Sequence, residues 1–454
     1  MDITIKEFAN ELAKIVGEEN IILKDNVSSD YMHDEYHGGV NHAPDMVACV
    51  SCTEEVSKVL SLCTEKRIPA TVRGAGTGQV GGSVPVHGGI IISMQNMNQI
   101  MAYDEENSTI RVQAGVLLQD VKLEADKHGK YYPPDPGEKT ATIGGNFATN
   151  ASGPCAGKYG KTRDYIVDAV LVFADGTISN LSDNDEYVST IGSEGTLAVV
   201  TELALKVIDK PCSDTIFMFP FADVHKCIEA AKRIMQEPLN ASVVEYIDGD
   251  IVEFSGNVTG NPVFPIEMDG ERVAATLMIS IEGDDDELEA AMECVAELSE
   301  ELECMDVLVC DTMTMKREVW AAYDAFHTSM ESVKLREEIN VDVPENIYAD
   351  FVNYAKEVAS NKGVKAMTYG HVASGGLHIH LTANLSSEEF DKTIDGLKDE
   401  FYSKVSAAGG NIAGEYGVGY AKIKYLSPLA SQAHKELKNH YDPMTILNPG
   451  KIID

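Results

Sequence analysis

The order of apolar and polar segments near the start of the chain predicts a strand, a helix and a second strand. Residues 46–50 are almost all apolar and indicate a strand. Val56, Val59 and Cys63 then recur at the spacing that places side chains on one face of a helix. Residues 68–72 form the next short apolar segment. This order is typical of a βαβ unit, in which ligand sites form at the carboxyl ends of the strands.

The pattern continues through both halves of the chain and changes character near Pro211. Apolar segments predict further strands at residues 90–93, 110–113, 168–173, 202–208, 276–281 and 305–310. Helical periodicity predicts helices from Leu117 to Gly129, from Leu288 to Leu302 and around residues 319–336. At 454 residues the chain is long enough for two domains. We therefore predict an α+β protein with a domain boundary at residue 211.

Between the strands at 68–72 and 90–93 lies a loop with five glycines in ten residues, Arg73-Gly-Ala-Gly-Thr-Gly-Gln-Val-Gly-Gly82. Glycine lets the backbone adopt positive φ and approach a ligand closely. Consecutive backbone N–H groups in such a loop form an anion-binding concavity, to which Thr77 and Arg73 can add donors. Because a strand rather than a helix follows, the loop differs from the Rossmann fingerprint. A dinucleotide pyrophosphate is the ligand that it fits best, and a plain turn is the alternative.

Three more stretches of glycine and small residues follow, at residues 132–137, 141–160 and 192–201. Such long runs of small residues suit a backbone that wraps closely around a large flat ligand. They strengthen the interpretation of the first loop as part of a cofactor site.

Composition and charge exclude several classes of partner. The formal net charge is −37, which argues against a nucleic-acid or anionic membrane partner. No run of eighteen apolar residues predicts a membrane span, and the first residues lack the features of a signal peptide. We expect a cytoplasmic protein. The nine cysteines include one C-x-x-C pair, Cys49 and Cys52, which indicates either reduced thiols or a redox dithiol.

The glycine-rich stretches together carry a family resemblance. The ordered set R-G-A-G-T-G, P-P-D-P, T-I-G-G-N-x-A-T-N-A-S-G, K-Y-G and G-S-E-G-T-L resembles the flavin domain of the vanillyl-alcohol-oxidase superfamily. It is most similar to FAD-linked D-lactate, glycolate and D-2-hydroxyglutarate dehydrogenases. The resemblance implies a two-subdomain FAD-binding domain at residues 1–210. It also implies an α+β substrate (cap) domain at 211–425 and a C-terminal segment, 426–454, that returns to the FAD domain.

The same resemblance implies which residues hold the cofactor. They lie on the pyrophosphate, around the isoalloxazine and near the adenosine, and comprise Arg73, Gly74, Ala75, Gly76, Thr77, Gly78, Pro134, Asp135, Pro136, Thr142, Ile143, Gly144, Gly145, Asn150, Ser152, Gly153, Tyr159, Gly160, Glu194, Gly195, Val199 and Asn448. Some relatives attach the flavin through a histidine in the first glycine motif. Thr77 and Gly78 stand in that region here, so we expect FAD to be bound non-covalently.

A histidine-rich segment, residues 370–380, predicts the second centre of chemistry. His378 and His380 alternate along a predicted strand and share one face, and a glycine loop lets His371 fold back towards them. Glu415 stands in another turn framed by glycines. Two histidines and one carboxylate are a common ligand set for zinc, ferrous iron or manganese. The alternative is that these histidines are hydrogen-bonded core residues.

The resemblance implies that His371, His378 and Glu415 are the ligands of a divalent metal. The family's motifs are G-H-x-G-D-G-N-L-H-x-N and G-E-H-G, and two of the departures from them here matter for the chemistry. Their second asparagine is His380, and the histidine after the glutamate, the family's usual base, is Tyr416. His380 and Tyr416 are therefore the candidate catalytic bases, and an imidazole has the pKa better suited to neutral pH.

A further departure concerns the substrate carboxylate. Relatives bind it with the arginine of a W-x-x-R motif, but Tyr323 follows Trp320 at that spacing here. Lys334, Arg336 or Arg317 could replace the missing arginine, and so could the metal itself. Its loss favours a small monocarboxylate such as lactate over a dicarboxylate.

These observations lead to one main functional hypothesis and two alternatives. The first is FAD-dependent, metal-assisted oxidation of a small D-2-hydroxy acid, most simply D-lactate, with hydride transfer to flavin N5. The electrons would pass to an external acceptor, for which the resemblance suggests an electron-transfer flavoprotein. The alternatives are a flavin-carrying electron-transfer subunit without substrate chemistry of its own, and a metal-free alcohol oxidase of the same fold.

Overall fold

A computed structural model of the chain describes residues 5–39 and 41–453. Its α-helices are α1 (Ile5–Val16), α2 (Thr53–Lys66), α3 (Leu118–Lys127), α4 (Ile143–Thr149), α5 (Ala156–Tyr159), α6 (Val224–Ile234), α7 (Gly249–Thr259), α8 (Asp285–Glu301), α9 (Met313–Ser329), α10 (Tyr348–Asn361), α11 (Ser387–Ala407) and α12 (Pro428–Tyr441).

The strands of the first half are β1 (Ile21–Leu23), β2 (Met46–Cys49), β3 (Ala70–Arg73), β4 (Ile90–Ser93), β5 (Ile100–Asp104), β6 (Thr109–Gln113), β7 (Lys130–Tyr131), β8 (Ile166–Val172), β9 (Ile178–Asn180), β10 (Val199–Lys206) and β11 (Ile208–Asp209). Those of the second half are β12 (Ser213–Phe221), β13 (Ala241–Asp248), β14 (Glu267–Met268), β15 (Glu271–Arg272), β16 (Ala275–Gly283), β17 (Leu308–Cys310), β18 (Arg336–Asp342), β19 (Val364–His371) and β20 (Gly376–Ala383).

The chain divides into two compact units. The first contains the chain up to Ser152, Lys161–Lys210 and the chain from Tyr416 onward, and the second contains Gly153–Gly160 and Pro211–Glu415. The predicted FAD-binding domain included residues 153–160, and the predicted substrate domain included residues 416–425. In the structure each of these two segments belongs to the other unit. The functional limits of the domains remain a prediction.

The first unit holds two larger sheets that match the two predicted subdomains. In the sheet of order β1-β2-β4-β3, strands β2, β4 and β3 run parallel, because α2 makes the crossover of the predicted βαβ unit. The β-branched strand Ile90–Ser93 lies buried at the centre of this arrangement. The other sheet, β5-β6-β10-β8-β9, is antiparallel.

The second unit is built on one seven-stranded antiparallel sheet, of order β17-β12-β16-β13-β19-β20-β18. Helices α7 and α9 share an apolar cluster with alternate residues of β12, β13, β16 and β19, which contribute, among others, Val243, Ile247, Met367 and Tyr369. Because side chains alternate across a strand, Glu245 lies on the same face as Val243 and Ile247. This helix-covered face of the sheet also carries the predicted histidines.

One predicted helix ends earlier in the structure than expected, and one segment without a predicted element forms a helix. The helix predicted around residues 319–336 ends at Ser329, and residues 336–342 form strand β18 instead. Apolar Ile339 and Val341 alternate there with polar residues, which is the period of a strand. The T-I-G-G segment, for which no element was predicted, begins helix α4, where the Thr142 side chain accepts a hydrogen bond from the Gly145 N–H. Among the described residues no helix is both long and apolar enough to cross a bilayer.

Candidate active site and metal centre

His371, His378 and Glu415 come together in the second unit, as the sequence predicted for a metal site. Each offers a ligand atom, and these atoms all lie within 4.8 Å of one another. The Glu415 Oε2 atom lies 3.4 Å from His371 Nε2 and 3.6 Å from His378 Nε2. Bonds of about 2.0–2.1 Å at tetrahedral angles would separate neighbouring ligand atoms by roughly 3.3–3.4 Å. The donors present therefore fit a divalent cation in chemistry and in spacing.

The far side of each imidazole is held by a buried carboxylate. His371 Nδ1 lies 2.7 Å from Glu245 Oε1, and His378 Nδ1 lies 2.9 Å from Glu338 Oε1. A carboxylate at Nδ1 fixes the ring and directs the Nε2 lone pair inward, which is the usual support of a metal-bound histidine. Both imidazoles thus face Glu415 with the nitrogen that a cation would bind.

The strand register explains why these carboxylates meet these histidines. Glu245 of β13 pairs directly with His371 of β19. On the next strands, β18 and β20, Asn340 pairs with His378 and Glu338 pairs with His380. Because paired residues project from the same face of a sheet, the backbone itself brings acids and imidazoles together.

Glu415 is placed by the turn that contains it. Its backbone N–H donates to Asn340 Oδ1 at 2.7 Å. The preceding Gly414 has φ +57°, and a Cβ there would lie 2.0 Å from the same oxygen. The turn therefore requires glycine at this position, which accounts for the G-E motif recognised in the sequence.

The electrostatics of the site favour a cation. Burial alone would lower the pKa of His371, but the Glu245 and Glu415 carboxylates raise it well above its usual value. Burial alone would raise the pKa of Glu415, but His371 and His378 hold it far below its usual range. Without a metal, protons supply the positive charge. A divalent ion would displace those protons, so its affinity must fall as the pH falls.

His380, the first candidate base, lies outside this ligand set. Its Nδ1 is 3.8 Å from Glu338 Oε2, and His327 of α9 approaches the same oxygen. Tyr369 stacks on both His378 and His380, with ring centroids 4.7 and 5.6 Å apart, as expected for histidines on one strand face. Tyr416, the second candidate base, belongs to the first unit. Both roles remain predictions.

Sequence reasoning missed the supporting residues Glu245, Glu338, Asn340, His327 and Tyr323. The Tyr323 hydroxyl, at the position where relatives carry arginine, donates to Glu245 Oε2 at 2.7 Å. A single acid inside the apolar segment Val243-Val-Glu-Tyr-Ile247 was a signal of a buried, partnered carboxylate. Of the proposed replacements for the arginine, Arg336 donates to the Glu331 and Val333 carbonyl oxygens.

In the first unit the glycine loop packs against the T-I-G-G segment. A Cβ on Gly74 would lie 2.2 Å from Thr142 Oγ1. Gly76 has φ +85°, and a Cβ there would lie 2.0 Å from the Arg73 guanidinium. The Arg73 side chain is buried and donates to Ser83 Oγ at 3.2 Å, which joins the two ends of the loop, and to His33 O at 2.8 Å, which ties the loop to an earlier segment. Two predicted cofactor motifs, residues 73–78 and 142–145, thus pack closely together, and we call them the glycine cradle. A side chain would not fit at Gly74 or Gly76.

Two other predicted cofactor residues join the same unit. Asn448 accepts a hydrogen bond from the Val72 N–H at 2.9 Å and donates to Glu194 O at 2.7 Å, so it links β3 to the G-S-E-G segment. The Glu194 carboxylate accepts from the N–H groups of Val418 and Gly419. Four segments that are distant in the chain therefore meet near the carboxyl end of β3, namely β3 itself, residues 192–195, residues 418–419 and Asn448. This arrangement agrees with a backbone-lined cofactor site.

The remaining predicted cofactor residues have diverse surroundings. Asp135 pairs with Lys122 at 2.6 Å, and Asn150, in the left-handed conformation, ends α4 and accepts from the Arg163 N–H. Gly153, Tyr159 and Gly160 group with the second unit, where the Tyr159 hydroxyl bonds the Glu282 carboxylate. Their contacts with a flavin remain predictions.

Comparison with known proteins agrees with both units. An FAD binding domain model matches residues 44–182, and the model of the C-terminal domain of FAD linked oxidases matches residues 210–452. The chain is 37% identical to a D-lactate dehydrogenase of Anaerostipes hadrus over 97% of this chain and 96% of that protein. It is 31% identical to a D-lactate dehydrogenase of Archaeoglobus fulgidus over 89% and 90%.

A solved structure shows the same fold. The chain resembles p-cresol methylhydroxylase with a TM-score of 0.81 and 16% identity, over 99% of this chain and 97% of that one. The predicted α+β architecture, with an FAD-binding domain followed by a second α+β domain, is confirmed. The chain therefore belongs to the FAD-linked oxidases and is an FAD-dependent oxidoreductase of that family.

Proposed function

We propose that this protein oxidises a small D-2-hydroxy acid, with D-lactate as the preferred substrate, to the corresponding 2-oxo acid. The observation that carries the proposal is the buried set of His371, His378 and Glu415, with both imidazoles held at Nδ1 by carboxylates. Two relatives named D-lactate dehydrogenase support the choice of substrate. A flavin-carrying subunit without substrate chemistry would have no use for such a ligand set.

The proposed mechanism divides the work between the two units. When bound, FAD supplies a hydride acceptor, and a zinc, iron or manganese ion supplies a Lewis acid that acidifies the substrate hydroxyl. His371, His378 and Glu415 would hold that ion, while Glu245 and Glu338 fix the two imidazoles. The glycine cradle of residues 73–78 and 142–145 holds the cofactor without a covalent bond. The helix-covered sheet face keeps water away from the ligands, since their side chains are at most 8% exposed.

A base must remove the hydroxyl proton. His380 and Tyr416 remain the candidates, and the ordinary pKa of an imidazole suits proton transfer near neutral pH better than that of a phenol. The choice between the two depends on Glu338 and His327, which lie beside His380. After substrate oxidation the electrons would have to leave FAD for an external acceptor, for which we propose an electron-transfer flavoprotein.

The test is reduction of the bound flavin without oxygen. We expect D-lactate to bleach the flavin absorbance of the purified holoprotein, and L-lactate to do so far more slowly. Removal of the metal with a chelator should abolish bleaching, and added divalent metal should restore it. A flavin that none of a panel of D-2-hydroxy acids reduces would contradict the proposal. Rapid release of hydrogen peroxide by chelator-treated protein would favour the metal-free oxidase instead.

The cradle gives a separate prediction for cofactor binding. Gly74→Ala places a methyl group against Thr142 Oγ1, which also caps helix α4, so we expect FAD affinity to fall at least about tenfold. Gly396→Ala is the control, because Gly396 lies in helix α11 of the second unit and its Cβ would meet only Lys362 Nζ, at 4.0 Å. Titration of the apoprotein with FAD measures both variants. Equal affinity in the two variants would show that this contact does not shape the cofactor site.

A further inference from the structure

A second group of metal-ligating side chains lies beside the first in the same unit. His327, Glu338 and His380 each offer a ligand atom within 4.8 Å of the others. The Glu338 Oε2 atom lies 3.1 Å from His327 Nδ1 and 3.8 Å from His380 Nδ1. The first metal site uses none of the three as a direct ligand.

The group is built on rigid elements. Glu338 and His380 are directly paired on the neighbouring strands β18 and β20, and His327 lies in the last turn of α9. The side chains of His380 and Glu338 are 2% and 7% exposed, whereas that of His327 is 32% exposed. Two of the three groups are therefore fixed by the sheet, and the third closes the site from the helix side, where an ion could enter.

The spacing is close to that of a coordinated ion. Ligand atoms around a small divalent cation lie roughly 2.9–3.4 Å apart for bond angles between 90° and tetrahedral. The separation of Glu338 and His327 falls in this range. His380 would have to approach by about 0.4 Å to reach the tetrahedral value, a shift that a small rotation of the ring provides.

The charge balance favours a second cation as well. Three carboxylates, those of Glu245, Glu338 and Glu415, are at most 8% exposed in this cluster. One divalent ion on His371, His378 and Glu415 leaves a formal charge of −1 on these groups, because its histidine ligands must be neutral. A second divalent ion changes that charge to +1, which suits an anionic 2-hydroxy acid.

We propose that His327, Glu338 and His380 bind a second divalent metal ion. Glu338 is then shared, because its Oε1 atom holds the Nδ1 of His378 and its Oε2 atom is a ligand of the second ion. The second ion occupies the Nδ1 lone pair of His380, so His380 is a ligand rather than the base, and Tyr416 remains as the candidate base. The inference rests on the proposed function through this shared carboxylate and through the charge that the first ion leaves. The competing explanation is an ion pair between a protonated His327 and Glu338, which binds no metal.

The experiment counts metal ions rather than turnover. Full-length holoprotein is dialysed to equilibrium against zinc at a buffered free concentration, and bound zinc is measured by mass spectrometry. We expect two zinc ions per wild-type chain, one in His327→Gln, one in His371→Gln and none in the double variant. His225→Gln is the matched control, because His225 is a half-exposed histidine of α6 in the same unit, and it should keep both ions.

The outcomes separate the second site from the first. A single zinc per wild-type chain that is lost in His371→Gln and kept in His327→Gln would overturn the second site and leave the proposed function intact. Two ions in both the wild type and His327→Gln would also overturn it, since the second ion would then lie elsewhere. Anomalous scattering at the zinc edge from wild-type crystals gives an answer that does not depend on the folding of any variant. It should show a second peak beside Glu338, and its absence would refute the site.

Discussion

Glu415→Gln is expected to abolish oxidation of the D-2-hydroxy acid while FAD remains bound. The change keeps the shape of the side chain but removes the charged ligand of the proposed first metal site, on which both imidazoles converge. A Lewis acid is worth several kcal/mol of transition-state stabilisation, so kcat/KM should fall by about 10³ or more. Anaerobic flavin reduction by D-lactate in a stopped-flow instrument measures the effect without an external acceptor.

The control for Glu415→Gln is a matched change elsewhere in the second unit. Glu357→Gln alters an exposed carboxylate of α10 and should leave both metal content and rate unchanged. The flavin spectrum of both variants should match the wild type, because the predicted cradle lies in the first unit. If Glu415→Gln kept more than a tenth of the wild-type rate, the carboxylate would not be a ligand of a catalytic metal. The assignment of His371 and His378 as its partners would then lose its main support.

The parts of this site that sequence could predict carry short-range signatures. The glycine turn before Glu415 and the alternation of His378 and His380 along a strand are readable within ten residues of each group. The same holds for the loop at residues 73–82, where backbone freedom is itself the signal. In each case a local backbone requirement limits which residue types the chain can use, so the requirement can be recognised from the sequence.

The parts that sequence could not predict depend on pairing between distant segments. Glu245 reaches His371 only because β13 and β19 are neighbours in the sheet, although they are 126 residues apart in the chain. Glu338 was missed for a second reason, because the helix predicted at α9 was extended to residue 336 and strand β18 was not predicted. Without that strand, neither Glu338 nor Asn340 could be placed beside the histidines. Long-range register, rather than residue chemistry, limited the prediction.

The residue with the largest expected effect among those found only in the structure is Glu245. It is fully buried and accepts hydrogen bonds from His371 Nδ1 and from the Tyr323 hydroxyl, each at 2.7 Å. We expect Glu245→Gln to weaken metal binding about 10–100-fold, because the carboxylate that orients His371 and raises its basicity is lost. Zinc affinity measured by competition with a chromophoric chelator tests this directly.

If Glu245 positions His371, we expect further results that a general loss of stability would not produce. Saturating metal should restore most of the flavin reduction rate of Glu245→Gln, because the ligands themselves are intact, whereas no metal concentration should rescue Glu415→Gln. Tyr323→Phe removes one of the two hydrogen bonds to Glu245 and should shift zinc affinity in the same direction by a smaller factor. Tyr354→Phe, a half-buried tyrosine of α10 in the same unit, is the control and should shift nothing. Unchanged zinc affinity in Glu245→Gln would mean that His371 is oriented by the sheet alone, and that this carboxylate serves the fold rather than the metal.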